Sequence, residues 1–438
     1  MACSRLAVWA LIVVHVSAAG SAVAQEAGDA DELLKALEEI DELSLTELLR
    51  AETSLVAAMP QTLRASPGIL TVVTREEIRA SGARDLMDVL RLVPGFGFAQ
   101  DVQGVVGMGF RGIWGHESRV LLLVDGHEMN ELLFQTTQLG NHYPAELIEK
   151  VEIIRGPGSA IHGGNAELAV NNVVTRKGAQ LSGLEGSVRL GAMSGGGTRR
   201  GAALAWGDQV GGGSGVEVSA AAFFGEAARS GYDYTDYRGT RFSLASESAL
   251  SPAFVKADAR WRGLSVSFLY DGYRSLDRVG YGESLSRPVW IGFPGYYASA
   301  TWKLDATSSL SVTPRVQYKR QAPWRSLDDK PDVMTDSYFD TVAERWSAGL
   351  QLEWRPLAGL SLVGGGEARL DHAWVNPDAN GEYESGTNVL LSGEPSVRYH
   401  NLAAFAQVVW NNPIVNASAG ARFERHSYWA MPSCPGSG

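Results

Sequence analysis

Arg345-Trp346-Ser347-Ala348-Gly349-Leu350-Gln351-Leu352-Glu353-Trp354-Arg355 alternates along its whole length. Trp346, Ala348, Leu350, Leu352 and Trp354 fall on one face of an extended chain, and Arg345, Ser347, Gln351, Glu353 and Arg355 on the other. Strand side chains point to opposite faces in turn, whereas helical neighbours recur at three and four, so the pattern predicts a strand with one apolar and one polar face. Leu310 to Tyr318 repeats it, setting Leu310, Val312, Val316 and Tyr318 against Ser311, Thr313, Arg315 and Gln317. A soluble sandwich alternates likewise, but here Trp and Tyr close the ends of the apolar faces, as in the aromatic girdles of a membrane barrel.

The rest of the chain after about Leu184 agrees. Ten of the twelve tryptophans lie beyond residue 180. Short turns fall near Pro356 to Gly359 and Asn411 to Pro413, and long polar loops near Ser275 to Tyr296, Gln321 to Asp340 and Val375 to Ser396. That asymmetry separates a periplasmic from an extracellular side. Fifty glycines, and no run of eighteen apolar residues after the leader, also favour strands over spanning helices.

The leader reads as an export signal. Arg5 precedes an apolar run from Leu6 to Val16, too short to span a bilayer, and small residues end in Ala22-Val23-Ala24. Cleavage is expected after Ala24, which moves the formal charge from -11 to -12 by removing Arg5 and leaves Cys434 as the single cysteine. The acidic balance argues against a nucleic-acid partner, and one cysteine allows no disulfide framework. Residues 25 to 59 read as a periplasmic leader, with Leu33, Leu37, Ile40, Leu45, Leu48 and Leu49 at helical spacings and Glu52-Thr53-Ser54-Leu55-Val56 as an extended segment.

Residues 60 to 178 read as a compact mixed α/β domain. Ile69 to Val73 is a short strand; Thr74 with Glu77 makes a capping box; a second helix around Leu86, Val89, Leu90 and Leu92 stops at Pro94-Gly95. Met108 to Gly112 reads as a loop, Val120 to Val124 as a buried strand turning at Asp125-Gly126, and the segment after Ala145 as a short helix through Ile148 followed by the strand Val151 to Ile154. The glycines that follow lack what enzymes need: no Lys-Ser or Lys-Thr follows Gly163-Gly164 for a phosphate loop, and Pro157 and Ile161 stand where a nucleophile elbow around Ser159 requires glycine. No catalytic residue is assigned. His116, His127, His142 and His162 have no metal-ligand spacing, and no cofactor is expected.

In order along this domain come Val72-Val73-Thr74-Arg75-Glu76-Glu77-Ile78, Val93-Pro94-Gly95, Arg111-Gly112, Leu123-Val124-Asp125-Gly126, and Val151-Glu152-Ile153-Ile154-Arg155-Gly156-Pro157-Gly158-Ser159-Ala160-Ile161 with Gly163. The series resembles the plug domain of TonB-dependent outer-membrane receptors over more than one hundred positions. It departs from the usual pattern at His162, Ala169 and Asn171. The resemblance implies a plug seated in an antiparallel transmembrane β-barrel in the cell outer membrane. It further implies that Arg111, Arg155, Gly156 and Gly158 make plug-barrel contacts, the arginines pairing with barrel carboxylates. Glu52, Thr53, Ser54, Leu55 and Val56 are then the segment that joins TonB, with its inner-membrane energising complex, by strand addition.

The implied activity is uptake of a scarce small molecule, a ferric siderophore or cobalamin-like compound, without covalent chemistry. Tyr281, Trp290, Phe293, Tyr296 and Tyr297 form an aromatic-rich stretch that could stack a flat ligand or belong to the upper girdle. Residues 179 to 438 hold about eleven strands, half of the 22 in a plugged transporter. The expectation is an incomplete barrel from a truncated reading frame, the alternative being a non-transporting fragment that at most binds ligand.

Overall fold

The computed structural model describes residues 10–17, 52–53, 61–62, 70–102, 104–156, 162–163, 165–181, 183–211, 215–278, 285–327, 341–375, 396–411 and 416–427. Chain order within the N-terminal domain begins with β1 (Leu70–Thr74), α1 (Arg75–Ser81) and α2 (Leu86–Arg91). Thr74 caps α1: its hydroxyl accepts from Glu77 N at 3.3 Å while the Glu77 carboxylate accepts from Thr74 N at 2.7 Å, which satisfies two otherwise orphaned donors. Gly82, at φ +68°, ends that helix in the left-handed region. Ile78, Leu86, Val89 and Leu90 turn inward and are buried.

Six further labelled strands, β2 (Phe96–Gln100), β3 (Val106–Phe110), β4 (Val120–Val124), β5 (His127–Glu128), β6 (Ile148–Ile154) and β7 (Ala169–Thr175), complete the domain, the first two in a small sheet with Ile113–Trp114. The main sheet runs β1-β6-β7-β4-β5, with β7 parallel to β4 and every other pair antiparallel. Met108 to Phe110, expected as a loop, is strand. Its glycines serve close approach: a Cβ at Gly107 would stand 2.2 Å from His116 Nδ1, and one at Gly109 2.8 Å from the Ile113 carbonyl oxygen. The helix expected through Ile148 is a single 3₁₀ turn, Ala145–Leu147, because Ile148 already pairs with Thr175.

Eleven long antiparallel strands form the wall: β8 (Gly183–Ala192), β9 (Thr198–Val210), β10 (Val216–Ala228), β11 (Ala249–Trp261), β12 (Leu264–Asp277), β13 (Val289–Trp302), β14 (Leu310–Gln321), β15 (Thr341–Leu357), β16 (Leu360–Val375), β17 (Ser396–Asn411) and β18 (Asn416–His426). Neighbours in sequence are neighbours in the sheet, and among the described residues the sheet does not close on itself. The apolar run Ala10–Ser17, read above as the core of an export signal, lies antiparallel along β8, where it satisfies that strand's outer hydrogen-bonding edge.

The period of two sorts the wall as expected. Trp206, Trp261, Trp302, Trp354 and Trp410 all point outward, exposed, near the short-turn rim. Trp346, also outward, sits eight residues from Trp354, about 27 Å along the strand at 3.4 Å per residue. A tilt of about 40° reduces this to roughly 20 Å of height, the scale of an apolar membrane band. The inner face instead packs on the N-terminal domain. Ala203, Ala205, Phe223, Phe254, Leu269 and Tyr297 of the wall share one apolar cluster with Met108, Phe110, Leu122, Ile153 and Val173.

Candidate functional site

The hairpin between β4 and β5 turns at Asp125 (φ +48°) and Gly126 (φ +80°), the left-handed pair that tight two-residue hairpins require. The turn drives Asp125 toward the wall. Its carboxylate accepts from Thr175 N at 3.1 Å and Thr175 Oγ1 at 2.5 Å, and pairs with Lys177 at 3.1 Å and with Lys256 of β11 at 2.7 Å. Three more wall cations close on the same hairpin. Arg315 donates to the Gly126 carbonyl at 2.5 Å, Lys319 donates to the Asn130 carbonyl, and Arg345 lies 3.4 Å from Glu128 while holding Asp371 at 2.6 Å. Four cations from β11, β14 and β15 thus grip two carboxylates and two backbone carbonyls.

Buried charges stay charged only when paired, and this hairpin shows the effect. Burial alone pushes the Asp125 carboxyl up, but Lys177 and Lys256 overcome it and hold it at about 2. Glu128 is likewise held at about 2, as Lys319, Arg345 and Arg369 outweigh its burial. His127 goes the other way for a base: burial, then Arg315 and Lys256, depress it to about 3, so it is neutral at physiological pH.

Further contacts ring the domain. Asp85, the N-cap of α2, pairs with Arg199 of β9 at 2.7 Å and accepts from Asn141 N at 2.8 Å. Glu146 pairs with Arg189 of β8, and Arg229 joins Asp277 while donating to the Gly104 carbonyl at 2.6 Å. One pair is reversed. His142 lies between two acceptors, the Gln138 carbonyl and the Asp271 carboxylate of β12, each at 2.7 Å, and stacks on Tyr143, whose hydroxyl donates to Asp271 at 3.0 Å. Burial opposes charge on this imidazole, but Asp271 and the carbonyl prevail and its pKa is raised.

A cavity of about 710 Å³ separates the main sheet from the wall toward the short-turn rim. Asp125, Glu128, Lys177, Asp258, Arg315 and Glu367 line it, both signs of charge together. Its mixed charge makes it a polar gap rather than a pocket tuned to one ion. Among the described residues no group of three His, Cys, Asp or Glu side chains comes together to hold a metal.

The residues singled out from sequence are distributed differently from expectation. Arg111, at φ +53°, donates to the Arg155 carbonyl at 3.1 Å within the domain. Among the described residues no wall carboxylate is paired with Arg111 or Arg155; the ion pairs run mainly from domain carboxylates to wall cations. Gly156, at φ +157°, holds a backbone conformation that side-chain-bearing residues rarely adopt, but a Cβ there would meet no part of the wall, and Gly158 lies outside the described residues. The aromatic stretch is strand β13, not loop, and its period of two splits it. Phe293 and Tyr297 face inward and are buried, with Tyr297 accepting from Gln321 at 2.7 Å, whereas Trp290 and Tyr296 lie on the other face. They do not form one stacking wall, and Tyr281 lies outside the described residues. Glu52–Thr53 pairs with Gln61–Thr62 in a short antiparallel ladder; Ser54, Leu55 and Val56 lie outside the described residues. The cradle itself was missed. Arg315 and Arg345 were legible as polar-face cations, but nothing local said which backbone they would grip.

Residues 62–170 match the model of the TonB-dependent Receptor Plug Domain. That segment is a plug domain of this family, and the antiparallel strands that follow it have the fold of part of a receptor barrel. Within the chain, 130 residues are 38% identical to the vitamin B12 transporter BtuB of Vibrio vulnificus (strain CMCP6), covering 28% of this chain and 20% of that protein. The fold is similar to that of the siderophore receptor PirA from Acinetobacter baumannii, with a TM-score of 0.60, 15% identity, and coverage of 83% of this chain and 57% of that one. A variant of the ferric enterobactin receptor PfeA from Pseudomonas aeruginosa gives 0.59, 16%, 82% and 57%. The chain therefore spans little more than half of these solved receptors. The plug sheet is the domain gripped by the wall cations, and the gap beside it lies between plug and barrel.

Proposed function

We propose that this chain is part of an outer-membrane receptor for active uptake of a ferric siderophore or a cobalamin-like compound, energised from the periplasm by TonB. The observation that carries the reading is the plug sheet held inside an antiparallel wall by paired charges and carbonyl contacts alongside one shared apolar cluster. Ion pairs and carbonyl contacts can be exchanged for water as the plug shifts, whereas a dry apolar interface would resist it. The polar gap beside Asp125 and Glu128 gives such movement room.

In this reading residues 1–24 are removed on export, residues 25–59 reach into the periplasm, and the plug and barrel begin near residues 60 and 179. Glu52 to Val56 joins TonB by strand addition; the extended backbone at Glu52–Thr53, paired among the described residues on one edge, supports it. Arg111, Arg155, Gly156 and Gly158 face the barrel on the side of β18, where Gly163 lies beside Arg422 and Glu424. Ligand is received at the long-loop rim. The test is uptake of radiolabelled cobalamin and of radiolabelled ferric enterobactin by receptor-deficient cells expressing the protein. Accumulation of one of them only when TonB is present is expected; accumulation of neither, or uptake indifferent to TonB, refutes the proposal.

A further inference from the structure

The outer face of the wall carries a second polar feature that plug seating does not use. Strand register places Tyr270, Tyr296, Arg320, Glu344, His372 and Arg398 side by side across six adjacent strands, β12 to β17. The next row toward the short-turn rim is Phe268, Ala298, Tyr318, Trp346, Leu370 and His400, and the row after that Val266, Ala300, Val316, Ala348, Ala368 and Leu402. A row that changes from aromatic to cationic therefore lies directly against the apolar band, at its long-loop border. Charged side chains at that height stand at the headgroup level of a bilayer, with aromatics as their neighbours.

The cations there are in excess. Arg320 and Arg398 are exposed, as is His400. Arg320 lies over the Trp374 ring, 5.6 Å from its centroid, and Trp374 in turn packs 4.7 Å from the His372 ring. The one carboxylate in the row, Glu344, is engaged by the Tyr318 hydroxyl at 3.1 Å and lies 3.4 Å from His372. Arg398 has no carboxylate partner among the described residues. By contrast, Arg200, an outer-face cation on β9, is neutralised by Glu226.

We propose that Arg320 and Arg398, with His372 between them in the same row and His400 in the next, bind the phosphate of a membrane lipid headgroup whose acyl chains lie on the apolar rows around Trp346 and Leu370. Guanidinium groups match phosphate oxygens bidentately, and Trp374 fixes the orientation of one of them. The occupant is a lipid rather than a free anion because the cations stand at the border of the apolar face, where an attached acyl chain finds its own surface to cover.

This inference rests on insertion of the wall in a membrane, so insertion and lipid retention are measured separately. The protein is folded into phosphatidylcholine vesicles, and insertion is scored by protection of the barrel from added protease. It is then extracted in mild detergent with phosphatidylglycerol or phosphatidylcholine, and retained lipid is read by native mass spectrometry. The wild-type chain is expected to retain phosphatidylglycerol preferentially and to keep it against inorganic phosphate. Arg320→Gln combined with Arg398→Gln is expected to weaken retention on the order of 30-fold, about five-fold for each cation, while insertion is unchanged. If the double variant fails to insert, Arg398→Gln alone, expected to lose about five-fold, decides the matter. Retention equal to wild type in an inserted variant, or displacement of the lipid by inorganic phosphate, overturns the proposal. Failure of the wild-type chain to insert overturns the membrane reading instead.

Discussion

Replacing Lys256 by Met removes the wall's cation from Asp125 and keeps the apolar stem. Both side chains are almost wholly buried, at 2% and 3% exposure, so the carboxylate cannot recover its lost partner from bulk water. Removing one member of a buried pair costs about 3–5 kcal/mol in general. Here the loss is smaller, because Lys177 remains 3.1 Å away and Thr175 still donates twice. The carboxyl's displacement from 3.8 to about 2 corresponds to about 2 kcal/mol in all, at 1.36 kcal/mol per unit, and is shared between the two lysines. Lys256 also holds Asp258 and donates to Thr175 Oγ1, contacts that are lost with it. Together these set the expected cost of Lys256→Met at about 2 kcal/mol of plug docking. Amide hydrogen exchange over Leu121 to Val124 reads it as faster opening by about 30-fold. Asp125→Asn in the same background should recover most of the loss, since no unpaired carboxylate is then left in the interface. If the two substitutions add within about 0.5 kcal/mol, as independent sites do, the cradle is not the contact that holds the hairpin.

Acid should release the plug. Asp125 and Glu128 have folded-state values below their ordinary ones, so the stability they contribute is complete above about pH 5 and is lost as pH falls toward 2. His127, held at about 3, refuses a proton that the unfolded chain accepts below about pH 6.5, which steepens the same decline. His142 acts oppositely: its raised value gives a contribution that is full below about pH 6.5 and fades as pH rises through its folded value. Hydrogen exchange of the plug sheet across pH should therefore show slowest opening between these limits, and a plug that stays equally protected from pH 7 down to pH 3 would contradict the assignment. On the outer face, Leu350→Arg places a cation within the apolar band and should cost about 2–4 kcal/mol of folding into vesicles. Gln351→Arg, one residue on and facing the lumen, should cost far less; equal effects in a urea titration would remove the distinction between the faces.

How much of this was legible beforehand depends on the range of the forces involved. Thr74 with Glu77, the stop after α2, and the alternation of Trp346 to Trp354 were readable because caps, turns and strand faces are fixed by residues within a few positions of each other. Met108 to Phe110 misled because its glycines look like loop, while their use is to let His116 and Ile113 approach from another part of the chain. The aromatic stretch of β13 misled for a related reason. Phe293, Tyr296 and Tyr297 are close in sequence, yet a strand sends Tyr296 to the outer face and Phe293 and Tyr297 to the plug.

The sequence by itself determined that a mixed plug precedes alternating strands with one apolar face, since period and turn chemistry are local. Only the tertiary structure decided which charges meet. Asp125 and Lys256 are 131 positions apart, and Glu128 and Arg345 are 217. Each is an ordinary surface charge when read along the chain, and becomes a contact only when the sheet register turns Lys256, Arg315, Lys319 and Arg345 inward onto one hairpin. Coulomb attraction depends on distance in space and on burial, and neither is written in sequence separation.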